Sequence, residues 1–359
     1  MTGGNRAALR GMAMAMAKAM AVAALLAAGC ASAGDRPADE PAATPAPAAR
    51  IVMDFEDGEA GAGADAVSVE GTSLLGAPLE RPDMASAPRE EQEALLAAAR
   101  ERVAAAPEDL EAWIWVGRRL GYLGRYREAL AHYGEALPRF PDAPELYRHR
   151  GHRYLTVREL AAAVADFERG VELALARPDA VEPDGLPNAR NQPTGTLRSN
   201  LHYHLALARY LQGDPAAAAA EWERARDAVD NPDNLVAASY WLYLARAEAG
   251  DAAGAAAALA PIRADLDVIE NADYHRLLLL FRGEADPEEL LADVAEERGV
   301  ALATVGYGVA AWRLLRGERE AGAELLARVI RQTPWPAFGH LAAEARLARD
   351  PELRELAER

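Results

Sequence analysis

Four histidines lie close together in the chain and are its most obvious candidates for binding a metal ion or moving a proton. His149 and His152 are three residues apart, and His202 and His204 are two apart. Imidazole is a common zinc ligand, but residues two apart on a helix point to different faces. No carboxylate or cysteine lies nearby at ligand spacing, so we predict no metal site at these histidines.

Motifs that would indicate an enzyme are missing from the sequence. Neither Gly-x-Ser-x-Gly nor His-Glu-x-x-His occurs, and no Gly-rich phosphate loop follows a strand because no strand is predicted. We expect a protein without catalytic residues, cofactor or metal. A hydrolase site built from residues that are distant in the sequence is the remaining alternative.

The first 29 residues have the pattern of an export signal. Residues 1–18 carry three basic side chains and no acidic one, and residues 19–29 form a short apolar run. Such a run is too short to span a membrane as a permanent helix and is typical of a cleaved signal peptide. We expect residues 1–29 to direct the chain out of the cytoplasm.

The only cysteine of the chain, Cys30, follows this apolar run and is preceded by Ala-Ala-Gly. Small residues before a cysteine at this place resemble the bacterial lipobox, although Ala27 stands where leucine is commonest. The resemblance implies cleavage after Gly29, lipid attachment to Cys30 and, because Ala31 follows, sorting to the outer membrane. The alternative is an ordinary secretory signal cleaved near residues 31–33, which would leave a soluble periplasmic protein.

The composition indicates a helical, acidic body behind this signal. Ala and Leu dominate the apolar half of the chain and are strong helix formers. The formal net charge of −17 repels phosphates and anionic headgroups, so we predict no nucleic-acid partner and membrane contact through the lipid anchor only. Residues 30–50, rich in Ala and Pro, are expected to form a disordered tether, and residues 51–86 an irregular arm.

From residue 87 onward, side-chain size recurs with a fixed internal spacing: two small residues, a large one and another small one. The first copy is Gly117, Ala129, Tyr133 and Ala136, and the second, 34 residues on, is Gly151, Ala163, Phe167 and Gly170. Weaker copies begin at Ala206, Tyr243 and Ala310. Two antiparallel helices approach closely only where small residues face each other, and such pairs stack to bury their apolar faces.

Residues 110–143 resemble a tetratricopeptide repeat. Matches at the signature positions of the family are Trp113, Gly117, Gly124, Tyr126, Ala129, Tyr133, Ala136 and Pro141. The resemblance implies an all-α fold, a TPR-like α-solenoid of antiparallel helix pairs over residues 87–357. Further repeats are predicted at 144–177, 199–232, 236–269 and 303–336, with a degenerate one at 270–302 and capping helices at 87–106 and 337–357.

The second and third repeats are separated by an insertion, residues 177–197. It contains four prolines with asparagines and glycines and has no helical pattern. Structureless segments of this length are uncommon inside compact domains and are often functional. Two interpretations stay open, namely a lid over the concave face and a tolerated surface insertion.

The resemblance also implies which residues bind a ligand, because positions 5 and 9 of each repeat line the concave groove in this family. Those positions give Arg118, Arg148, His152, Tyr203 and Tyr240 as the candidate binding residues. The basic ones could hold a carboxylate or phosphate, and the tyrosines could hold a chain beside it. Alternatively, the arginines pair with acidic neighbours such as Glu111 and Glu145 and keep the groove soluble.

These patterns predict an envelope-anchored lipoprotein that acts as a non-catalytic scaffold for an unknown protein or peptide partner. We expect it at the outer membrane, facing the periplasm. One alternative is a periplasmic binder of a small anionic ligand or peptide carboxylate under the 177–197 segment. The other is the hydrolase considered above.

Overall fold

The described part of the chain is helical from Ser86 almost to its last residue. A computed structural model describes residues 68–183, 185, 188–295 and 299–359, all within one unit, residues 47–359. The predicted signal peptide, Cys30 and the tether lie outside the described residues. No helix of the described residues is long and apolar enough to cross a membrane.

Fifteen helices lie within the described ranges. Those of the N-terminal half are α1 Ser86–Ala105, α2 Leu110–Tyr122, α3 Tyr126–Ala136, α4 Pro144–Thr156, α5 Leu160–Leu175, α6 Leu197–Gln212 and α7 Pro215–Ala228. Those of the C-terminal half are α8 Pro232–Glu248, α9 Ala252–Leu259, α10 Ala272–Phe281, α11 Pro287–Asp293, α12 Val300–Leu315, α13 Arg319–Gln332, α14 Phe338–Arg349 and α15 Pro351–Glu358.

After α1, consecutive helices form seven pairs, from α2/α3 to α14/α15, and in every pair except α10/α11 the two helices pack closely against each other. Five of the seven turns contain a glycine with a positive φ angle, a conformation that costs glycine little: Gly124, Gly213, Gly250, Gly283 and Gly317. In the α4/α5 turn, Arg158 takes this place, with φ 68°. The predicted fold class, an all-α stack of helix pairs, is confirmed.

The close crossings predicted from the repeat lie inside the hairpins. A methyl group added at Gly117 would overlap the ring of Tyr133, so α2 and α3 meet at the first small position. At Gly151 the added carbon would lie 2.8 Å from the ring of Phe167, so α4 and α5 cross at the equivalent place. Small and large residues therefore fit each other as the spacing indicated.

Of three segments outside the regular repeats, the first and the last differ from the sequence-based expectation. Within the irregular arm, Val69–Thr72 and Pro78–Glu80 form a short antiparallel hairpin with a bulge, too short for an alternating pattern to be recognised. The degenerate repeat is a pair of short helices, α10 and α11. The predicted C-terminal capping helix is a seventh hairpin, because Asp350 interrupts it and its side chain caps α15 by accepting from Leu353 N.

The last hairpin also packs back onto the early repeats. Arg158 of the α4/α5 turn donates to both carboxylate oxygens of Glu344 on α14, at 3.0 and 2.7 Å. Arg349 donates to the carbonyls of Tyr210 and Leu211 at the end of α6. The strand hairpin joins this contact, because Leu74 N donates to Glu344. First helices of distant hairpins are thus in direct contact.

Candidate functional site

The first helices of the stack line a cleft of about 510 Å³, here called the inner cleft. First helices of five successive hairpins, α6, α8, α10, α12 and α14, contribute to its lining. Its lining contains three amide side chains and three aromatic ones, those of Tyr203, Tyr274 and Phe338. Volumes of this size are typical of ligand pockets in proteins, about 300–1,000 Å³.

The amides of the inner cleft come from the N-terminal ends of successive first helices. Asn200 and Asn234 are 34 residues apart, and Asn271 is the N-cap residue of α10. The Asn234 amide nitrogen donates to the carbonyls of Ala225, Arg226 and Val229, which fixes α8 to the end of α7. Repeat geometry therefore places one amide per repeat.

A buried aspartate orders the loop that carries Asn271. Both carboxylate oxygens of Asp233 accept from backbone N–H groups, those of Ile269, Glu270 and Asn271. Because Asp233 lies at the start of α8 and is 1% exposed, the loop before α10 is held against the previous repeat. This rim of the cleft is therefore preorganised by backbone hydrogen bonds.

The aromatic side of the inner cleft joins α6 to α14. The ring of Tyr203 lies 5.5 Å from that of His204 and 6.5 Å from that of Phe338, and the rings of His204 and Phe338 are 5.7 Å apart. Tyr274 of α10 stacks on Tyr240 at 4.5 Å. Since Phe338 begins α14, the position of the last hairpin determines the shape of this wall.

The fold separates the five residues that were predicted to bind a ligand. Tyr203 lines the inner cleft. Arg118 and Arg148 line a neighbouring cavity of about 160 Å³, here called the arginine cavity. His152 packs against His204 and Phe338 behind the cleft, and Tyr240 is fully buried. A ligand role for any of the five stays a prediction.

The alternative that the groove arginines pair with acidic residues applies to Arg148, but its partner is not one of the expected acids. Glu111 pairs with Arg102 and Glu145 with Arg177, so neither is the partner of a groove arginine. Instead, Arg148 faces Glu182 of the insertion, with Nε 3.1 Å from Oε2. The partner comes from a segment that sequence spacing could not place.

The described residues of the insertion fold across the inner side of the stack, and we call residues 177–183, 185 and 188–196 the strap. Its ends meet in an isolated β-bridge between Val181 and Thr196. One side is fixed to α2, where Arg118 donates to the Pro183 carbonyl at 2.8 Å. The other is fixed to the loop before α10, where Arg190 pairs with Asp267. Of the two interpretations, the covering one matches this geometry.

Three of the four histidines considered for metal binding are buried together. The rings of His152 and His204 are 4.7 Å apart, and His149 lies beside Arg148. Burial lowers the pKa of His204 to about 3 and, with the nearby arginines, brings the pKa values of His149 and His152 well below their usual range. No group of three His, Cys, Asp or Glu side chains within the described ranges is arranged to hold a metal ion.

Several residues of the site were not found from the sequence. The 34-residue spacing of Asn200 and Asn234 is a signal that could have identified the amides. Tyr274 lies in the repeat whose spacing is poor, and Phe338 lies in what was predicted to be a cap. Glu182 carries no periodic signal at all.

The similarities of this chain to known proteins are found among solved structures. No protein-family model matches the chain, and no curated protein matches it. Among solved structures it is similar to YrrB, a TPR protein with an unusual peptide-binding site, at 19% identity over 69% of this chain and 97% of that one, with a TM-score of 0.38. A tetratricopeptide repeat protein from Parabacteroides merdae matches at 16% identity over 74% and 90%, with a TM-score of 0.42.

These similarities are too distant to transfer a ligand or partner. The fold assignment depends instead on the chain itself, on its 34-residue period and on the glycine-to-aromatic crossings at Gly117 and Gly151. On those grounds the described chain is a stack of tetratricopeptide-like helix hairpins whose last hairpin returns to the first ones.

Proposed function

We propose that this protein is a non-catalytic interaction protein that binds an extended segment of a partner polypeptide in the inner cleft. The observation that carries the proposal is that Asn200, Asn234 and Asn271 line one cleft together with aromatic rings. Their amide nitrogens donate within the chain, and an amide oxygen can accept from the N–H groups of a peptide backbone. Aromatic rings cover apolar side chains over a large area, so the lining of the cleft suits both the backbone and the side chains of a peptide.

The charge of the inner cleft favours a neutral or basic segment. Its described lining includes Glu270 and Asp273 and no arginine or lysine, and the low pKa of His204 keeps that ring neutral at physiological pH. A partner segment rich in carboxylates would meet side chains of like charge in the cleft. We therefore expect acidic segments to bind poorly.

A tryptophan placed in the cleft provides the test. Ala237 of α8 lines the inner cleft, whereas Ala216 is exposed on α7. A partner would first be isolated with the full chain from detergent-solubilised membranes, and its binding segment synthesised. We expect Ala237→Trp to weaken binding of that segment at least tenfold and Ala216→Trp to leave it unchanged. Equal affinities for the two variants would locate the binding surface elsewhere.

We further propose that the chain is attached to the bacterial outer membrane through lipid on Cys30, facing the periplasm. The support is the basic and apolar pattern of residues 1–29 followed by the only cysteine. Cells fed an alkyne-labelled fatty acid should yield labelled wild-type protein and unlabelled Cys30→Ser protein. An unlabelled wild-type chain that stays in the aqueous phase of a detergent extraction would favour the soluble secretory alternative.

A further inference from the structure

The arginine cavity has the donor set of a carboxylate-binding site. Arg118 comes from α2, Arg148 from α4 and Asn200 from α6, so three hairpins place hydrogen-bond donors around one small polar space. Arginine and amide N–H groups are the usual protein donors to a carboxylate. Because these donors lie on helices, their positions are fixed by the stack and do not depend on the strap.

A carboxylate of the chain itself lies in this cavity. The Glu182 side chain accepts from Asn200 Nδ2 at 2.8 Å, and its Oε2 lies 3.1 Å from Arg148 Nε. His149 Nε2 is 3.5 Å from the other oxygen. Glu182 belongs to the strap, which is held by the isolated β-bridge and a few polar contacts.

Glu182 satisfies these donors incompletely. Arg148 Nε is buried and, within the described part of the chain, has no aligned hydrogen-bond acceptor despite its distance to Glu182. Arg118 donates to the Pro183 carbonyl and to the Tyr122 hydroxyl, and no carboxylate of the described residues lies within ion-pair distance of it. Leaving Arg148 Nε unsatisfied costs free energy, which a better-placed carboxylate would recover.

We propose that Arg118, Arg148 and Asn200 form a carboxylate-binding site in which Glu182 acts as a built-in competitor, displaced together with the strap when a ligand carboxylate binds. The site is distinct from the inner cleft, and this inference does not depend on peptide binding there. The two spaces are adjacent, because Thr194, Gly195 and Glu270 line both. A ligand that extends from the arginine cavity into the cleft would therefore move the strap.

Tethering explains why a simple carboxylate should bind the wild-type chain poorly. A group on a short flexible segment competes at an effective concentration on the order of millimolar or higher. Removing the Glu182 carboxylate removes that competition without touching the helical donors. The affinity for an added carboxylate should then rise, and the added ligand should stabilise the variant.

The test compares acetate and succinate binding to the full-length wild type, Glu182→Ala and Arg190→Ala, by calorimetry and thermal unfolding at matched ionic strength. Arg190 holds the strap through Asp267 and is not among the residues that line the arginine cavity, so its loss loosens the strap without removing the competitor. We expect Glu182→Ala to bind at least tenfold more tightly than wild type, and Arg190→Ala to gain clearly less. Equal gains in both variants would overturn the proposal, because strap release alone would explain them.

Two further experiments identify the side chains that donate to the carboxylate and the type of ligand. Arg118→Gln or Arg148→Gln in the Glu182→Ala background should abolish the gain, and Glu182→Gln serves if the alanine variant does not fold. A short peptide with a free C-terminus that binds more tightly than its amidated form would show that a peptide carboxylate is accepted, whereas succinate alone would indicate a small acid. No binding of acetate, succinate or peptide to either Glu182 variant, or a stabilisation that chloride reproduces, overturns the proposal.

Discussion

At the scale of single residues, the buried histidines couple the stability of the fold to pH. His149, His152 and His204 lie next to one another and beside Arg148 and Arg153. Burial and this positive surrounding lower all three pKa values, that of His204 to about 3. Glu182 is the carboxylate closest to His149, at 3.5 Å. The folded protein therefore keeps these rings neutral at pH values where the unfolded chain binds protons.

We predict that the free energy of unfolding falls as pH drops below 6.5. A folded pKa below the unfolded value means that stability is present above pH 6.5 and is lost on acidification, by up to about 1.4 kcal/mol per pH unit for each histidine. Urea unfolding between pH 7.5 and 5 should show this slope, and His204→Gln should reduce it by about one histidine's share. Parallel curves for wild type and variant would contradict the assignment.

Arg158 combines an unfavourable backbone with a buried ion pair. Its φ of 68° belongs to the left-handed region, where a non-glycine residue costs about 1–2 kcal/mol. Its guanidinium and the Glu344 carboxylate are 2% and 1% exposed. Burial raises the pKa of the Glu344 carboxyl, but hydrogen bonds from His340 and Arg158 outweigh this effect and bring the pKa down to about 2. The contact to α14 thus compensates for the strained turn.

Replacing Arg158 by glycine separates these two effects. The turn becomes relaxed, yet Glu344 remains buried without its cation, which typically costs about 3–5 kcal/mol. We expect Arg158→Gly to lower the free energy of unfolding by about 1–4 kcal/mol, which is that cost minus the relieved strain. In a double-mutant cycle with Glu344→Gln, measured by urea unfolding, the double variant should lose less than the sum of the single ones. Additive losses would mean that the pair is not coupled.

At the scale of elements, each hairpin depends on which glycines face its partner helix. Gly117 of α2 abuts the Tyr133 ring, whereas Gly134, on the exposed side of α3, has open space around it. Gly117→Ala should therefore destabilise by about 1–3 kcal/mol through overpacking. Gly134→Ala should stabilise by about 0.5–1 kcal/mol, because alanine favours the helix. Thermal unfolding of this matched pair checks both signs, and two shifts of the same sign would refute the crossing.

The elements that the sequence predicts are those encoded within one repeat. Gly117 and Gly151 identify the crossings because glycine and aromatic residue are only sixteen positions apart. Gly124, Gly213, Gly250 and Gly317 locate the turns, but Arg158 gives no such signal because arginine rarely adopts positive φ. Local spacing therefore predicts the hairpins, but it does not predict that Arg158 occupies one of the turns and binds α14.

The candidate site is only partly predictable because some of its contacts join parts of the chain that are far apart in the sequence. Arg118, Arg148 and Tyr203 face inward as the repeat positions indicated, since that depends on helix phase alone. Tyr240 is buried because neighbouring repeats close over it, and Glu182 reaches Arg148 from a segment without periodicity. The pairing of Arg158 with Glu344 spans 186 residues. Such contacts follow from rotation accumulated over several repeats, which no single repeat encodes.

At the scale of the whole described unit, the returning last hairpin changes how stability is distributed. In an ordinary stack each hairpin contacts only its neighbours, and stability is a sum of nearest-neighbour terms. Here α14 also contacts α6, and Glu344 joins α14 to the α4/α5 turn and to the strand hairpin. Early and late repeats should therefore open together.

Ending the chain after residue 336, which removes α14 and α15, tests this coupling. If contacts were limited to neighbours, only α12 and α13 would lose amide protection. We expect α6 to lose protection as well, because Arg349 no longer binds the carbonyls of Tyr210 and Leu211 and Phe338 no longer covers His204. Hydrogen exchange measures both regions in one experiment, with α2, which packs on α1, α3 and α4, as the internal reference. Full protection of α6 beside exposed α13 would mean that the returning hairpin contributes nothing to the stability of the early repeats.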